Sequence, residues 1–350
     1  MKRQFVIRQL VTIGTVCLTL SASTLAGVGS AAPQGEEQVL EAVPGSGAFA
    51  PYVPYVDSSL SSRPNLAALA ANSGAKQFAV TLIVAGSDNR TPVWNTDDRL
   101  PVSGNFMVPE INELRRAGGD VVVSFGGADT NDLAQGIKDV GQLVATYRSV
   151  IDRLQADKVE FDIERGTLAD DAANDRRSQA VARLQAEYAR EGRTLHTMYT
   201  LPAQPDGLTP EGLRVLRGAV AHHVRVDRWN LMALNYRQNP GTMGTAAITA
   251  SEGLHEQLSK AYKHADRDRL WHRIGVTTMI GVNVSAGQVF GREDAQQLLR
   301  WARAKHMGLL SFWQIQRDHP CAAGTLSMTC SGVPEQAEYE FSSVFRQLDA

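Results

Sequence analysis

Three acids alternate with apolar residues in the segment Asp157-Lys-Val-Glu160-Phe-Asp162-Ile-Glu164. Val159, Phe161 and Ile163 stand between them. Successive side chains on a strand point to opposite faces, so the spacing predicts that Glu160, Asp162 and Glu164 share one face. Like charges on one buried face repel each other and resist losing water. Such an arrangement suits proton chemistry, because one carboxylate raises its neighbour's pKa until an acid can hold a proton near neutrality. For an isolated Asp-x-Glu a solvated edge strand with scattered acids is the favoured reading, so the rest of the chain must decide.

The elements around this segment follow a regular cadence. Apolar runs occur at Tyr52–Val56, Phe78–Val84, Val121–Phe125, Val159–Ile163, Leu195–Leu201, Trp229–Leu234, Ile274–Ile280 and Leu309–Ile315. Amphipathic stretches fall between them. Helices are predicted over Phe106–Ala117, Leu133–Leu154, Asp171–Arg190, Gly212–Val220, Leu254–Ala265 and Glu293–Lys305, with Gln336–Leu348 closing the chain. Thr209-Pro210-Glu211 supplies a cap and a first-turn proline for the fourth of these. Strand–helix alternation with eight strands predicts an α/β fold, a single (β/α)8 TIM barrel over residues 49–350. A doubly wound open sheet is the competing architecture, but no G-x-G-x-x-G or Walker loop follows a strand.

In a parallel barrel the chemistry gathers at the C-terminal ends of strands. There the third run carries Gly126 and Gly127, which let backbone approach a ligand or a neighbouring strand. The fourth carries the acids. The sixth brings Met232, Leu234, Asn235 and Tyr236; the seventh, Met279 and Asn283; the eighth, Trp313, followed by Arg317-Asp318. A tryptophan there is either a platform for a sugar face or core filling.

The ends and the composition set bounds. Residues 1–31 have a basic start, the apolar run Val11–Leu20 and small residues near Ala31, the pattern of a secretory signal; 32–48 reads as a flexible leader. The remaining chain is expected to be secreted, extracellular and free of membrane contact. A formal charge of −2 gives no footprint for nucleic acid. Cys17 would leave with the signal, and Cys321 and Cys330 are then expected to bridge in an oxidising compartment. His222-His223 reads as a helix-end dipole partner, and nothing calls for a metal or organic cofactor. Asn89-Arg-Thr91 and Asn283-Val-Ser285 match the N-glycosylation pattern.

The ordered motifs resemble glycoside hydrolase family 18, the chitinases. Asp157 to Glu164 is similar to the family's D-G-x-D-x-D-x-E signature, and Ser124-Phe-Gly-Gly127 to its S-x-G-G. Tyr199-Thr-Leu-Pro202, Met279-Ile-Gly-Val-Asn283, Ser311-Phe-Trp313, Arg317-Asp318 and Cys321…Cys330-Ser-Gly-Val resemble the bacterial D-type subgroup. The resemblance implies a retaining hydrolase of β-1,4-linked N-acetylglucosamine, with chitin or a related oligosaccharide as partner and the chain acting as a monomer. Glu164 would protonate the glycosidic oxygen while the substrate's own acetamide attacks the anomeric carbon, an exception to the two-carboxylate scheme. Asp162 would orient that acetamide, Asn235 hydrogen-bond it, and Trp313 floor its subsite. The chain departs from the pattern at Glu160, where the family has Asp; at Lys158, where it has Gly and which is expected to face away from the site; at Asn235, commonly Asp; and at Leu234, often Tyr. Two further readings share the barrel: a catalytically weak chitin-binding protein, and an endo-β-N-acetylglucosaminidase acting on N-glycans.

Overall fold

Each of the eight apolar runs forms a strand in the computed structural model, which describes residues 49–349 except 62 and 129. The expected signal segment with Cys17, and the leader, lie outside the described residues. The strands are β1 (Tyr55–Asp57), β2 (Gln77–Ala85), β3 (Asp120–Gly126), β4 (Lys158–Asp162), β5 (His196–Gln204), β6 (Arg228–Met232), β7 (Ile274–Met279) and β8 (Leu309–Trp313). They pair in parallel in chain order. The ring closes where Leu310 N–H donates to Pro51 O at 2.7 Å and Tyr52 bridges Leu310. The architecture is the expected barrel.

Side-chain parity sorts the strands into two cores. Phe125, Phe161, Tyr199 and Trp229 point outward and run edge to edge or stacked, with centroids 5.4, 5.5 and 5.4 Å apart. Tyr147, from the helix Val140–Arg153, packs on the first two rings at 5.0 and 5.2 Å. Burying each such ring contributes roughly 1.5–3 kcal/mol, so this layer fixes which face of β4 looks inward. A smaller inner cluster of Phe49, Val53, Tyr55, Ala79, Val122, Met198 and Leu309 fills the lumen. With Phe161 held outward, Glu160 and Asp162 must point in.

Several element boundaries differ from expectation. The stretch Leu133–Leu154 is two helices, Leu133–Gly136 and Val140–Arg153, because Asp139 is extended and caps Gln142 N at 2.8 Å. Gly136 sits where an added Cβ would meet Asn89 O at 1.8 Å, so the break is held by close backbone packing. The helix expected from Leu254 starts at Met243, since its first turns bury Gly244, Ala246, Ala247, Ala250 and Ser251, small residues that a search for large apolar spacing passes over. The closing helix shrinks to Glu340–Phe345 with a 3-10 turn after it. The helix Leu66–Ser73 and the short strands Pro92–Trp94, Gly207–Leu208, Gly281–Val282 and Val289–Phe290 were not expected. Cys321 and Cys330 are bridged, with Cα atoms 5.9 Å apart. Among the described residues no helix is long and apolar enough to cross a membrane.

Candidate active site

The acidic segment does not lie on one continuous strand face. β4 ends at Asp162; Glu164 is extended and begins the short helix Arg165–Ala169. Glu160 is therefore enclosed in the lumen, Asp162 is buried one step nearer the mouth, and Glu164 is half-buried at the rim. Asp157 and Lys158 sit at the opposite end. Lys158 has the parity of Glu160, so it does not face away by alternation; it is off the site because it lies at the start of the strand. There its ammonium pairs with Asp157 at 2.6 Å and Asp120 at 3.1 Å. A cleft of about 740 Å³ at that end is lined by Arg115, Asp120, Asp157 and Arg193, but its charges are satisfied within it: Arg115 pairs with Asp120 at 2.8 Å and Arg193 with Asp152 at 2.9 Å.

The two glycines bring strand to strand. Gly126 and Gly127 have φ of 98° and 112°, and Gly127 N–H donates to Asp162 O at 3.0 Å. A Cβ on Gly126 would lie 2.1 Å from that same oxygen. Of the two uses open to them in the sequence, close approach to the neighbouring strand is the one present here, and it fixes the backbone carrying Asp162.

Beneath Asp162 lies a polar layer that sequence reasoning missed. Glu160 Oε1 accepts from Tyr55 OH of β1 and Thr200 Oγ1 of β5. Asn230 of β6 donates to Thr200 Oγ1 at 3.0 Å, Tyr55 OH at 3.3 Å and Thr277 Oγ1 of β7 at 2.7 Å. Ser124 of β3 is the register partner of Glu160. The signal was available: Thr200, Asn230 and Thr277 are polar residues on the acids' parity inside otherwise apolar runs.

Burial raises the pKa of both inner acids. At Glu160 it is opposed by the hydroxyls of Thr200, Tyr55 and Ser124. Asp162 is pushed well above the usual carboxylate range by burial first, then by the charges of Glu164 and Glu160; its Oδ1, like Glu160 Oε2, has no hydrogen-bond partner among the described residues. We place the charge of the pair on Glu160, which has the donors, and the proton on Asp162, which lacks them. Burial and the neighbouring acids hold the Tyr55 phenol well above its ordinary value, so it stays a donor.

The remaining strand-end residues divide into two groups. Trp313 stands partly exposed at the end of β8, its ring 5.9 Å from that of Tyr55, and its register partner is Met279. Met232 and Met279 end β6 and β7 and are buried. Asn235 and Asn283, by contrast, lace two loops together. Asn235 Oδ1 accepts from Val284 N at 2.9 Å and Ser285 N at 3.2 Å, while Nδ2 contacts Met279 Sδ at 3.8 Å. The Asn235 carbonyl oxygen is thus engaged, and its amide nitrogen is the end that faces β7. Asn283 donates to Met279 O and Gly281 O at 2.8 and 3.0 Å and accepts from Asn235 N at 3.3 Å. Being buried and engaged at both ends, Asn283 cannot offer its nitrogen to a glycan, whereas Asn89 lies in an exposed turn. The Tyr236 backbone is clasped on both sides by Gln288, and its buried hydroxyl has no hydrogen-bond partner among the described residues. Arg317 and Asp318 do not reach the site: Arg317 donates to Ile280 O and Val282 O, and Asp318 accepts from Phe341 N and Ser342 N. His222 pairs with Asp175 at 2.6 Å, and no group of metal-ligating side chains occurs among the described residues.

A barrel whose mouth presents one deep charged acid, one neutral acid and one rim acid can move a proton between a ligand and the protein. No family model matches the chain. It is 36% identical over 307 residues, 84% of its length, to the "Probable bifunctional chitinase/lysozyme" of Escherichia coli (strain K12), and 34% identical over 280 residues to "Endochitinase 11" of Metarhizium anisopliae. The chain spans 34% and 53% of the length of these curated relatives. The catalytic domain of a hyperthermophilic chitinase from Pyrococcus furiosus superposes with a TM-score of 0.77 at 35% identity, covering 85% of this chain and 94% of that one. On this likeness, spread along nearly the whole of a solved catalytic domain, the chain belongs to the chitinases of glycoside hydrolase family 18.

Proposed function

We propose that the chain hydrolyses β-1,4-linked N-acetylglucosamine polymers with retention of configuration, using the substrate's acetamide as nucleophile. Glu164, at the rim, donates its proton to the glycosidic oxygen. The acetamide carbonyl oxygen bonds to the anomeric carbon as the bond to the leaving sugar breaks, giving an oxazolinium ion that water opens. Asp162, neutral and one step deeper, orients the acetamide by hydrogen bonding as positive charge develops on it. Glu160 supplies the negative charge beneath them. Trp313 floors the sugar's subsite, and Asn235 contributes its amide nitrogen. The observation that carries this reading is the graded burial of the three acids at the C-terminal end of one barrel strand. The motifs at the ends of β5, β7 and β8 favour the D-type bacterial subgroup, and the composition of residues 1–31 favours export.

The test compares wild type with Glu164→Gln on soluble chitin. Release of oligosaccharides by wild type, with at least a ~10²-fold loss in the variant, is expected. Binding without cleavage by folded wild type would instead support a chitin-binding protein, and equal activity of both would end the assignment of Glu164. Cleavage of an N-glycan in preference to chitin oligomers would redirect the substrate.

A further inference from the structure

We propose that Asn230, buried below the site, is a positioning residue that fixes which carboxyl of the Glu160–Asp162 pair is charged. It does so by committing two hydroxyl protons to Glu160. Its consequence for turnover rests on the hydrolase reading above; its effect on the pair does not.

An amide nitrogen only donates, whereas a hydroxyl has one proton to give and can also accept. Asn230 Nδ2 lies 3.0 Å from Thr200 Oγ1 and 3.3 Å from Tyr55 OH. One of the two amide protons is shared between these oxygens, so both hydroxyls are approached by a donor and turn their own protons elsewhere. The two hydroxyls lie 3.3 Å from each other, but the much nearer acceptor for both is the Glu160 carboxylate oxygen Oε1. The amide's other proton goes to Thr277 Oγ1 at 2.7 Å, which holds it from the far side. The amide oxygen lies against Gly275, where even an added Cβ would stand 3.0 Å from it, and makes no hydrogen bond. Turned over, that oxygen would accept from the same hydroxyls and compete with Glu160 for their protons. As placed, the hydroxyls point at Glu160, which keeps the charge and leaves the proton to Asp162.

Other charged groups on the lumen face are few. β1 contributes Tyr55 and, at the mouth, Asp57; β3 contributes Asp120 at its start; β4 contributes Lys158, with Asp162 within it and Glu164 just beyond. β5 contributes His196 and β6 Arg228, both at the N-terminal end. The inward positions of β2, β7 and β8 nearest Glu160 are Thr81, Thr277 and Ser311, all uncharged. Lys158 pairs with Asp120 and Asp157, His196 lies 3.5 Å from Asp227, and Arg228 donates to Gly308 O. Charge on Glu160 is thus stabilised by hydroxyls, first those of Thr200 and Tyr55, which Asn230 holds, and then that of Ser124.

The test replaces Asn230 with Leu, similar in size but without a donor, and with Ala as a second variant, each checked for cooperative melting. Infrared titration of the substrate-free protein follows the protonated-carboxyl bands, assigned with Glu160→Gln and Asp162→Asn. Uptake of the second proton by the pair is expected to move up by about one pH unit, a tenfold change in proton affinity, in either variant. On a soluble chito-oligosaccharide the acid limb of kcat/KM should move up by the same amount, with KM changed less than kcat. A folded variant that titrates as wild type, or that loses activity evenly across pH, overturns the proposal. If wild type cleaves no oligosaccharide, the functional reading fails and the infrared titration still decides this one.

Discussion

Replacing Gly126 with alanine should separate the support of the site from the stability of the barrel. The added Cβ would stand 2.1 Å from Asp162 O and 3.2 Å from Asp162 C, both backbone atoms with no rotamer to escape into. Alanine at a φ of 98° adds strain of about 1–3 kcal/mol. Relief requires the Asp162 peptide to move away by roughly 1 Å, which weakens the 3.0 Å bond from Gly127 N–H, worth about 1 kcal/mol. The total of about 2–4 kcal/mol is a large share of the 5–15 kcal/mol that usually holds a domain together. A displacement of that size at a positioning carboxyl also costs about 10²-fold in turnover. Gly118→Ala is the control: its φ of 86° carries similar strain, yet nothing lies within 4 Å of the added carbon. Melting curves and kcat on a fluorogenic chito-oligosaccharide are the assays. The control should lose only the strain and keep its kcat; if Gly126→Ala behaves the same way, the close approach does not position Asp162.

Two further outcomes follow from the burial of charge and the closing loop. Asp162 has a folded pKa raised above its unfolded value of about 3.8, so its stabilising proton is fully present below that pH and lost as pH rises through the folded value. Asp162→Asn should therefore abolish cleavage yet melt at higher temperature than wild type, with a gain near zero at pH 4 that grows toward neutrality; a gain independent of pH would contradict the assigned burial cost. Cys321 and Cys330 are nine positions apart in sequence, so Cys330→Ser should lower stability by about 2–3 kcal/mol on the loop-entropy model, read by denaturant melting.

The barrel was legible because its strands are bounded apolar runs, and burying those runs is what builds the sheet. Helix limits were less legible wherever contact, not periodicity, sets them. The helix Met243–Ala261 packs through small residues, and the break after Gly136 answers to the carbonyl of Asn89, distant in sequence. At the site, parity placed Glu160 and Asp162 inward, but parity alone could not show that β4 stops at Asp162 and releases Glu164 to the rim. Nor could it show that Asn235 ties two loops together, since its bonds with Asn283 and Val284 join residues 48 and 49 positions apart.

The glutamate at position 160 poses the sharpest question, because the family pattern has an aspartate there. A longer side chain in a packed lumen invites the expectation that it overreaches and captures Asp162. The geometry supports another resolution. Glu160 extends toward β1 and β5, and its Oε1 is taken by Tyr55 and Thr200. Those hydroxyls are in turn held by Asn230 from β6, so the added methylene is absorbed by a layer spanning four strands. Shortening it to aspartate would withdraw the carboxyl by about one bond length from partners fixed by the ring itself, in an interior where a single methylene is felt. In this chain, then, the departure and the polar layer belong together: Thr200 and Asn230 give the longer acid a place to keep its charge, and keeping it there leaves Asp162 neutral.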